Sequence, residues 1–255
     1  QPQLCIATGR LRGVEALLRW HHPELGAISP AEFIPLAEDS GQILAIGDWV
    51  LRTALAQLRA WQDAGHAVPA VAVNLSAVQF RRGQLMQTVA QVLGQTGLSP
   101  TRLELELTES ILIQNVDSVM NALRDFKQLG VQLSIDDFGT GYSSLAYLQE
   151  LNANQLKIDL RFVRDITRNS ANASIVKAIV ALGHGLGLEV LAVGVEDTGQ
   201  ARFLRSLQCD VMQGYLVSKP LSGPDFQKFM ASYGPMCLPT EDESLSTILL
   251  VDDEA

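Results

Sequence analysis

Carboxylate, amide and lysine side chains occupy corresponding places along this 255-residue chain, each beside a short apolar run. Glu15 follows Leu11–Val14, and Gln213 stands at the start of the last such run. The residues that end or follow the intervening runs are Asn74, Glu106, Asp136, Asp137 and Lys157. If the runs are parallel strands of one barrel, their carboxyl ends meet at one rim, where active sites of such barrels are built. The pattern therefore predicts a single acidic site.

The chemistry of such a site follows from its charges. Crowded carboxylates stay ionised only if positive charge neutralises them, and oxygen ligands favour hard cations such as Mg²⁺, Mn²⁺ or Ca²⁺ over zinc. The adjacent pair Asp136-Asp137 can serve two ions, and two ions about 3.5–4 Å apart are the usual device for displacement at phosphorus. Lys157 would hold the attacking water or neutralise charge on phosphoryl oxygens.

Each of these residues also has an ordinary explanation when taken alone. An Asp-Asp pair at a strand end is usually a turn or a helix cap, an isolated Asn74 is more often a cap, and Lys157 would be a solvated surface lysine. Their joint occurrence at equivalent positions favours a common site. His21 and His22 are predicted to be structural, and Met212 and the scattered aromatic residues are predicted to lie in the core.

The elements that must position these residues alternate between strand and helix. Predicted strands are 71–75, 103–107, 131–135, 155–158, 190–195 and 212–217, and predicted helices are 84–95, 116–129, 143–149, 173–186, 199–207 and 224–233. Repeated βα units indicate a parallel sheet with right-handed crossovers. The length suits a (β/α)8 barrel, which needs about 250 residues. A doubly wound open sheet is the alternative, weakened by the absence of a glycine-rich dinucleotide fingerprint.

Charge and cysteine content restrict the partners and the compartment. The net charge is −9 and the pI about 4.9, whereas proteins that grip long nucleic acids need a basic surface. A small phosphate compound can still bind if metal ions carry the positive charge. The three cysteines have no paired spacing, which favours a reducing cytoplasm. No signal peptide or membrane-length apolar run is visible.

The two ends of the sequence suggest a piece of a longer protein. The chain opens at Gln1 rather than Met, so a membrane segment elsewhere in the parent protein stays open. Residues 1–235 are predicted to be one domain, and 236–246 a Pro-, Glu- and Ser-containing linker. Residues 247–255 resemble the first strand of a response-regulator receiver domain, and an acidic tail is the alternative.

Ordered sequence blocks identify the family that the chain resembles. The segment Glu15–Trp20, reading EALLRW, resembles the signature of the EAL family of cyclic di-GMP phosphodiesterases. Further blocks follow in family order: His22–Gly26, Ser29–Pro35, Asn74–Ser76, Glu106–Ser110, Asp136–Ser144, Lys157–Asp159 and Gln213–Tyr215. The resemblance extends from Gln1 to about Phe229.

The resemblance implies a modified TIM barrel with one antiparallel strand and hydrolysis of cyclic di-GMP to linear pGpG with Mg²⁺ or Mn²⁺. Glu15, Asn74, Glu106 and Asp136 would bind the first metal, Asp136 and Asp137 the second, and Lys157 would stand near the attacking water. Residues matching substrate contacts are Gln1, Leu17, Arg19, Asp159 and Gln213. Glu109 and Glu196 would support the loop 138–144, which relatives often use in a homodimer. Fused signalling domains are expected in the parent protein.

One position departs from the family pattern. Members usually carry Ala-Glu-Gly-Val-Glu where this chain has Ala192-Val193-Gly194-Val195-Glu196, and the first glutamate of that pattern is tied to metal binding and water activation. Val193 can do neither, so the second metal is expected to bind weakly or not at all. Three functions therefore stay open: a working phosphodiesterase, a receptor that binds cyclic di-GMP without turnover, and a barrel enzyme of enolase-type proton abstraction. Calcium is expected to inhibit turnover.

Overall fold

The fold is described from a computed structural model, which covers residues 1–81, 84–109, 111, 116–139 and 145–236. Eight strands close into a barrel in the order β1, β10, β9, β8, β7, β6, β5, β2. A separate two-stranded hairpin, β3–β4, lies outside the barrel. The predicted barrel is confirmed, and the open doubly wound sheet is excluded because no edge strand remains. The predicted linker and receiver-like segment lie outside the described residues, apart from Met236.

The strands are β1 Pro2–Cys5, β2 Leu11–Ala16, β3 Trp20–His22, β4 Gly26–Ile28, β5 Val71–Asn74, β6 Leu103–Thr108, β7 Gln132–Phe138, β8 Gln155–Ile158, β9 Glu189–Val193 and β10 Val211–Gln213. The helices are α1 Pro30–Asp39, α2 Ile43–Asp63, α3 Ala77–Arg81, α4 Leu85–Thr96, α5 Val116–Leu129, α6 Leu145–Leu151, α7 Leu160–Val163, α8 Ser170–Gly185, α9 Thr198–Ser206 and α10 Gly223–Ser232. A 3₁₀ turn spans Pro100–Arg102. No described helix is long and apolar enough to cross a membrane.

Strand β1 is the one antiparallel strand of the barrel. It pairs antiparallel with both β10 and β2, whereas all other neighbouring barrel strands are parallel. The reason is its connection: β1 turns directly into β2 at Gly9, which has a left-handed φ of 65°, and a short turn can join only antiparallel strands. The antiparallel strand implied by the family resemblance is therefore present.

The core lies between the barrel wall and the surrounding helices. Val73, Leu103, Leu105, Leu156 and Val190 are fully buried on the strands, and their β-branched or leucine side chains suit a sheet that is covered on its outer face. The barrel interior is polar at both ends. At the end opposite the strands' carboxyl ends, Arg12 pairs with Glu189 through nitrogen–oxygen distances of 2.9–3.0 Å.

Most predicted elements are present with small shifts at their ends, but the last strand is an error. Residues 212–217 were expected to be extended, yet β10 ends at Gln213, so Gln213 closes the strand rather than starting it. Beyond it the chain turns, with Leu216 N–H donating to Val195 O and Val217 N–H donating to Gly214 O. A Cβ on Gly214 would lie 2.1 Å from Val195 O, so only glycine permits this close approach. Helices α1 and α2 had not been predicted.

Candidate metal centre

The strand register brings the predicted site residues to one rim. Asn74 pairs with Glu106 across β5 and β6, and Asp136 pairs with Thr108 across β6 and β7. Glu15 precedes the last residue of β2, and Lys157 precedes the last residue of β8. The carboxyl ends of parallel strands point the same way, so these side chains meet at the same mouth of the barrel.

Three carboxylates surround one buried ammonium group. Lys157 Nζ lies 2.8 Å from Glu106 Oε2, 2.7 Å from Asp136 Oδ2 and 3.6 Å from Glu15 Oε2. One oxygen from each of Glu15, Glu106 and Asp136 lies within 4.8 Å of the others. Lys157 is 1% exposed, which excludes the alternative of a solvated surface lysine. We call these four residues the acid–lysine cluster.

Amide groups hold Glu15 in place. Asn74 Nδ2 donates to Glu15 Oε1 and Gln213 Nε2 donates to Glu15 Oε2, each at 2.6 Å. Gln213 also donates to Gln1 Oε1 at 3.2 Å, and the backbone nitrogen of Gln1 donates to Glu15 O at 2.7 Å. Both oxygens of this buried carboxylate are therefore fixed by donors, which stabilises its charged form.

The protonation of the cluster reflects burial and mutual charge. Burial opposes ionisation of Glu15, but Lys157 and the Gln213 and Asn74 hydrogen bonds prevail and lower its pKa to about 2. Burial and the neighbouring Glu15 raise the pKa of Glu106 well above its ordinary value. Burial also opposes the charge of Lys157, yet Glu106, Glu15 and Asp136 raise its pKa. One ammonium thus faces three acids, which leaves an excess of negative charge.

The donor set fits a hard divalent cation. Glu106 Oε1 is buried and accepts no hydrogen bond from any described residue, which leaves it a ligand atom without another role. Asn74 uses its nitrogen on Glu15, so its oxygen remains available. All the ligand atoms are oxygens, the preferred partners of Mg²⁺, Mn²⁺ and Ca²⁺. A cation here would also relieve the excess negative charge.

Asp137 stands apart from the three clustered carboxylates. It has a left-handed φ of 56° and is exposed, and its backbone N–H donates to Asp136 Oδ1 at 2.8 Å. Although the residue is exposed at the surface, partial burial of its carboxyl group, together with Asp136 and Asp159, raises the pKa of Asp137 to about 6. Left-handed backbone at a non-glycine residue is uncommon and concentrates at functional sites. This backbone conformation therefore takes the Asp137 side chain out of the regular alternation of β7 side chains between the two faces of the sheet.

The two carboxylates expected to support the loop after β7 differ in placement. Glu109 is 2% exposed and its Oε2 accepts from Gly139 N–H at 3.1 Å, at the start of that loop. Glu196 is exposed, and its side chain makes no hydrogen bond or ion pair with a described residue. Only its backbone N–H is bonded, to Gln200 Oε1 at 2.6 Å. Residues 140–144 of the loop lie outside the described part, so loop support by Glu196 stays a prediction.

Three of the predicted substrate contacts line one cavity. Gln1, Leu17 and Arg19 lie with Glu15 along a cavity of about 510 Å³ between β2, α2 and the start of α10. A neighbouring groove of about 710 Å³ is bordered by Trp20 and Trp49, which are 44% and 58% exposed. These two indoles are thus exceptions to the predicted burial of the aromatic residues, whereas Met212 is fully buried as expected.

Asp159 has a local role that the sequence resemblance did not suggest. Its carboxylate caps α7 by accepting from Arg161 N–H at 2.7 Å and pairs with Arg161 Nε at 3.1 Å.

Gln3, in contrast, was not among the predicted site residues. It is 2% exposed and its Nε2 donates to Gln213 Oε1 at 3.2 Å. The only signal for it in the sequence was a polar residue between the apolar positions of β1.

Val193 ends β9 directly beside the site. It pairs with Gln213 on β10, and β9 also neighbours β8, which carries Lys157. The rim position between those two strands therefore holds an apolar side chain. Valine provides neither a ligand nor a base, so the acid–lysine cluster receives no carboxylate from β9.

Comparison with known proteins agrees with this geometry. The family model described as "EAL domain" matches residues 1–220. The chain belongs to the EAL domain family. A structure described as the PaMucR phosphodiesterase in complex with c-di-GMP superimposes on this EAL domain with a TM-score of 0.85 and 46% identity, over 89% of this chain and 92% of that one. The EAL enzyme Bd1971, in a form with cAMP and cyclic di-GMP bound, gives a TM-score of 0.85 at 34% identity, covering 90% of this chain and 63% of that one.

Two similar sequences come from Pseudomonas aeruginosa. The bifunctional diguanylate cyclase/cyclic di-GMP phosphodiesterase MucR is 48% identical over 221 residues, which are 87% of this chain and 32% of MucR. The cyclic di-GMP phosphodiesterase NbdA is 45% identical over 233 residues, 91% of this chain and 30% of NbdA. The EAL domain thus spans about a third of the length of these relatives.

Proposed function

We propose that this EAL domain hydrolyses cyclic di-GMP to linear pGpG with Mg²⁺ or Mn²⁺ held by Glu15, Asn74, Glu106 and Asp136. The observation that carries the proposal is the convergence of three carboxylates on one buried lysine at the barrel mouth. Such an arrangement attracts cations and suits chemistry at a phosphodiester. An enolase-type reaction is disfavoured because the family's named relatives act on cyclic di-GMP.

The bound cations would supply charge neutralisation at the phosphate and an acidified water. The residues of the chain supply the rest. Glu15 stays ionised because its two oxygens receive hydrogen bonds from Asn74 and Gln213. Lys157, held rigidly by Glu106 and Asp136, places a positive charge where negative charge grows on the phosphoryl oxygens. Asp137 would serve a second ion.

The dinucleotide would lie across the cavity beside the cluster. Gln1, Leu17 and Arg19 line it, and the adjoining exposed indoles of Trp20 and Trp49 offer flat surfaces on which guanine can stack, an interaction worth about 1–3 kcal/mol per base. Asp159 and Gln213 would frame the remaining edge. Long nucleic acids are disfavoured as partners by the net charge of −9.

The proposed surroundings follow the family. We expect a homodimer, fused signalling domains in the parent protein and a cytoplasmic location, which suits the free thiols of Cys5 and Cys209. The domain would cover residues 1–235, followed by a linker over 236–246 and the start of a receiver domain over 247–255. A sequence of the parent gene tests this arrangement.

The direct test is incubation of the purified chain with cyclic di-GMP and either Mg²⁺ or Mn²⁺. Linear pGpG formed above a Glu15→Gln control supports hydrolysis. No pGpG with either metal refutes it.

A second function, a receptor for cyclic di-GMP without turnover, is favoured by Val193 alone. In that case calorimetry would show nucleotide binding with no product, and absence of binding would reject the receptor as well.

A further inference from the structure

Gln3 belongs to a buried chain of amides that ends on Glu15. Gln3 Nε2 donates to Gln213 Oε1 at 3.2 Å, and Gln213 Nε2 donates to Glu15 Oε2 at 2.6 Å and to Gln1 Oε1 at 3.2 Å. Gln3 and Gln213 are 2% and 1% exposed. Water therefore does not compete for these groups, and each amide must find its partners within the protein.

The local backbone is arranged to deliver Gln3 to this place. Gln3 lies on the antiparallel strand β1, where the pairing with β2 shifts register between Gln3 and Leu4. Such irregularities re-aim a side chain and are frequent near active sites. The residue opposite Gln3 is Gly13, and a Cβ there would lie 3.3 Å from Gln3 Oε1. A glycine at that position leaves room for the glutamine.

Gln3 influences Glu15 through the orientation of the Gln213 amide, because Gln3 donates to the Gln213 oxygen and leaves the Gln213 nitrogen to donate to Glu15. A glutamine amide fits its pocket in two orientations that exchange oxygen and nitrogen. If Gln213 were reversed, its oxygen would face the Glu15 carboxylate and Gln1 Oε1, and its nitrogen would face Gln3 Nε2. The donor from Gln3 thus favours the orientation in which Gln213 donates to Glu15.

We propose that Gln3 is a positioning residue, which fixes the amide of Gln213 so that Gln213 holds the Glu15 carboxylate in its cation-binding pose. The inference deepens the proposed function, because Glu15 is one of the proposed metal ligands. Partners beyond a ligand commonly change metal affinity about 10- to 100-fold. Gln3 acts through one further residue, so we expect Gln3→Met to weaken Mn²⁺ binding about three- to tenfold.

The test is a double-mutant cycle on Mn²⁺ affinity, measured by calorimetry with the wild-type chain, Gln3→Met, Gln213→Met and the double variant. If Gln3 acts through Gln213, Gln3→Met weakens binding in the wild-type background and has no further effect once Gln213 is Met. Equal effects in both backgrounds, or no effect in either, overturn the proposal. Gln155→Met is the matched control, because Gln155 is equally buried but bonds Ser134 and Glu189 at the other end of the barrel, and it should leave Mn²⁺ affinity unchanged.

A metal-free measurement separates this inference from the proposed function. The side-chain ¹⁵N–¹H₂ resonances of Gln213 report its hydrogen bonds in the presence of EDTA. In Gln3→Met the Gln213 resonances should shift or broaden because the Gln213 oxygen loses the donor that holds the amide in place, while Gln155→Met leaves them unchanged. Unchanged Gln213 resonances in Gln3→Met overturn the positioning role even if Mn²⁺ binds. Shifted resonances in a chain that fails to bind Mn²⁺ support the positioning role and refute the metal site alone.

Discussion

Replacement of Lys157 by methionine removes the ammonium group from the acid–lysine cluster and leaves its three acids. The ammonium lies within 2.8 Å of Glu106 and Asp136 and 3.6 Å from Glu15. Removal of one partner of a buried ion pair costs about 3–5 kcal/mol, because the remaining charge is left without compensation. For a domain of this size, each kcal/mol corresponds to about 2–4 °C in Tm. Lys157→Met should therefore lower Tm by about 6–20 °C.

The assay is thermal unfolding followed by circular dichroism, in EDTA and in excess Mn²⁺. A bound cation stabilises the folded state and takes over the neutralising role, so the difference between Lys157→Met and wild type should be smaller in Mn²⁺ than in EDTA. Lys228→Met is the matched control, since its partner Asp225 lies on the surface and Lys228 is largely exposed. Surface pairs contribute about 0–1 kcal/mol, so this variant should unfold close to wild type. A Tm for Lys157→Met in EDTA that equals the control would refute the reasoning.

Three further outcomes follow from the structure. Val193→Glu places a carboxylate at the rim end of β9 and should raise turnover of cyclic di-GMP at least about tenfold, since a positioned base accelerates a reaction about 10²–10⁴-fold. Val193→Gln should give no such gain, and an equal gain in both variants would contradict this prediction. Ca²⁺ in place of Mg²⁺ should abolish turnover because its larger, looser coordination suits in-line geometry poorly, and equal rates with both ions would refute this. Burial raises the pKa of Cys209 to about 12 from 9.0, so iodoacetamide at pH 8 should modify this thiol only after unfolding, as mass spectrometry would show. The stabilisation linked to this raised pKa is complete below about pH 9 and is lost as the pH rises toward 12. Between these pH values the denaturation midpoint of wild type should therefore fall more steeply than that of Cys209→Ala.

The barrel and its rim residues could be predicted because the polar site residues recur once per strand, at the same interval as the βα units that form the barrel. A residue at the end of each parallel strand must face the same opening, so Asn74, Glu106, Asp136 and Lys157 could be placed together before any coordinates. The last strand was misjudged because Tyr215–Val217 is apolar enough to look extended. The turn depends on the close approach of Gly214 to Val195 O, a contact that the local sequence does not reveal.

Contacts between distant segments could not be predicted from local patterns. Gln3 and Gln213 stand 210 positions apart, and their hydrogen bond exists only because the antiparallel β1 closes the barrel against β10. The exposure of Trp20 and Trp49 likewise depends on how α1, α2 and the β3–β4 hairpin pack, and none of these elements is predicted from the sequence. The solvent exposure of Glu196 could not be predicted either, because a sequence motif gives a residue's position along the chain but not the direction of its side chain.

The proposed function requires the oxygens of Glu15, Glu106 and Asp136 to bind one cation together. Anomalous diffraction from crystals loaded with Mn²⁺ measures this directly. We predict an anomalous peak about 2.0–2.6 Å from a carboxylate oxygen of each of the three residues, with the Asn74 oxygen as a further ligand. Manganese peaks elsewhere on the molecule, with none in contact with these three carboxylates, would show that these residues do not form the cation site.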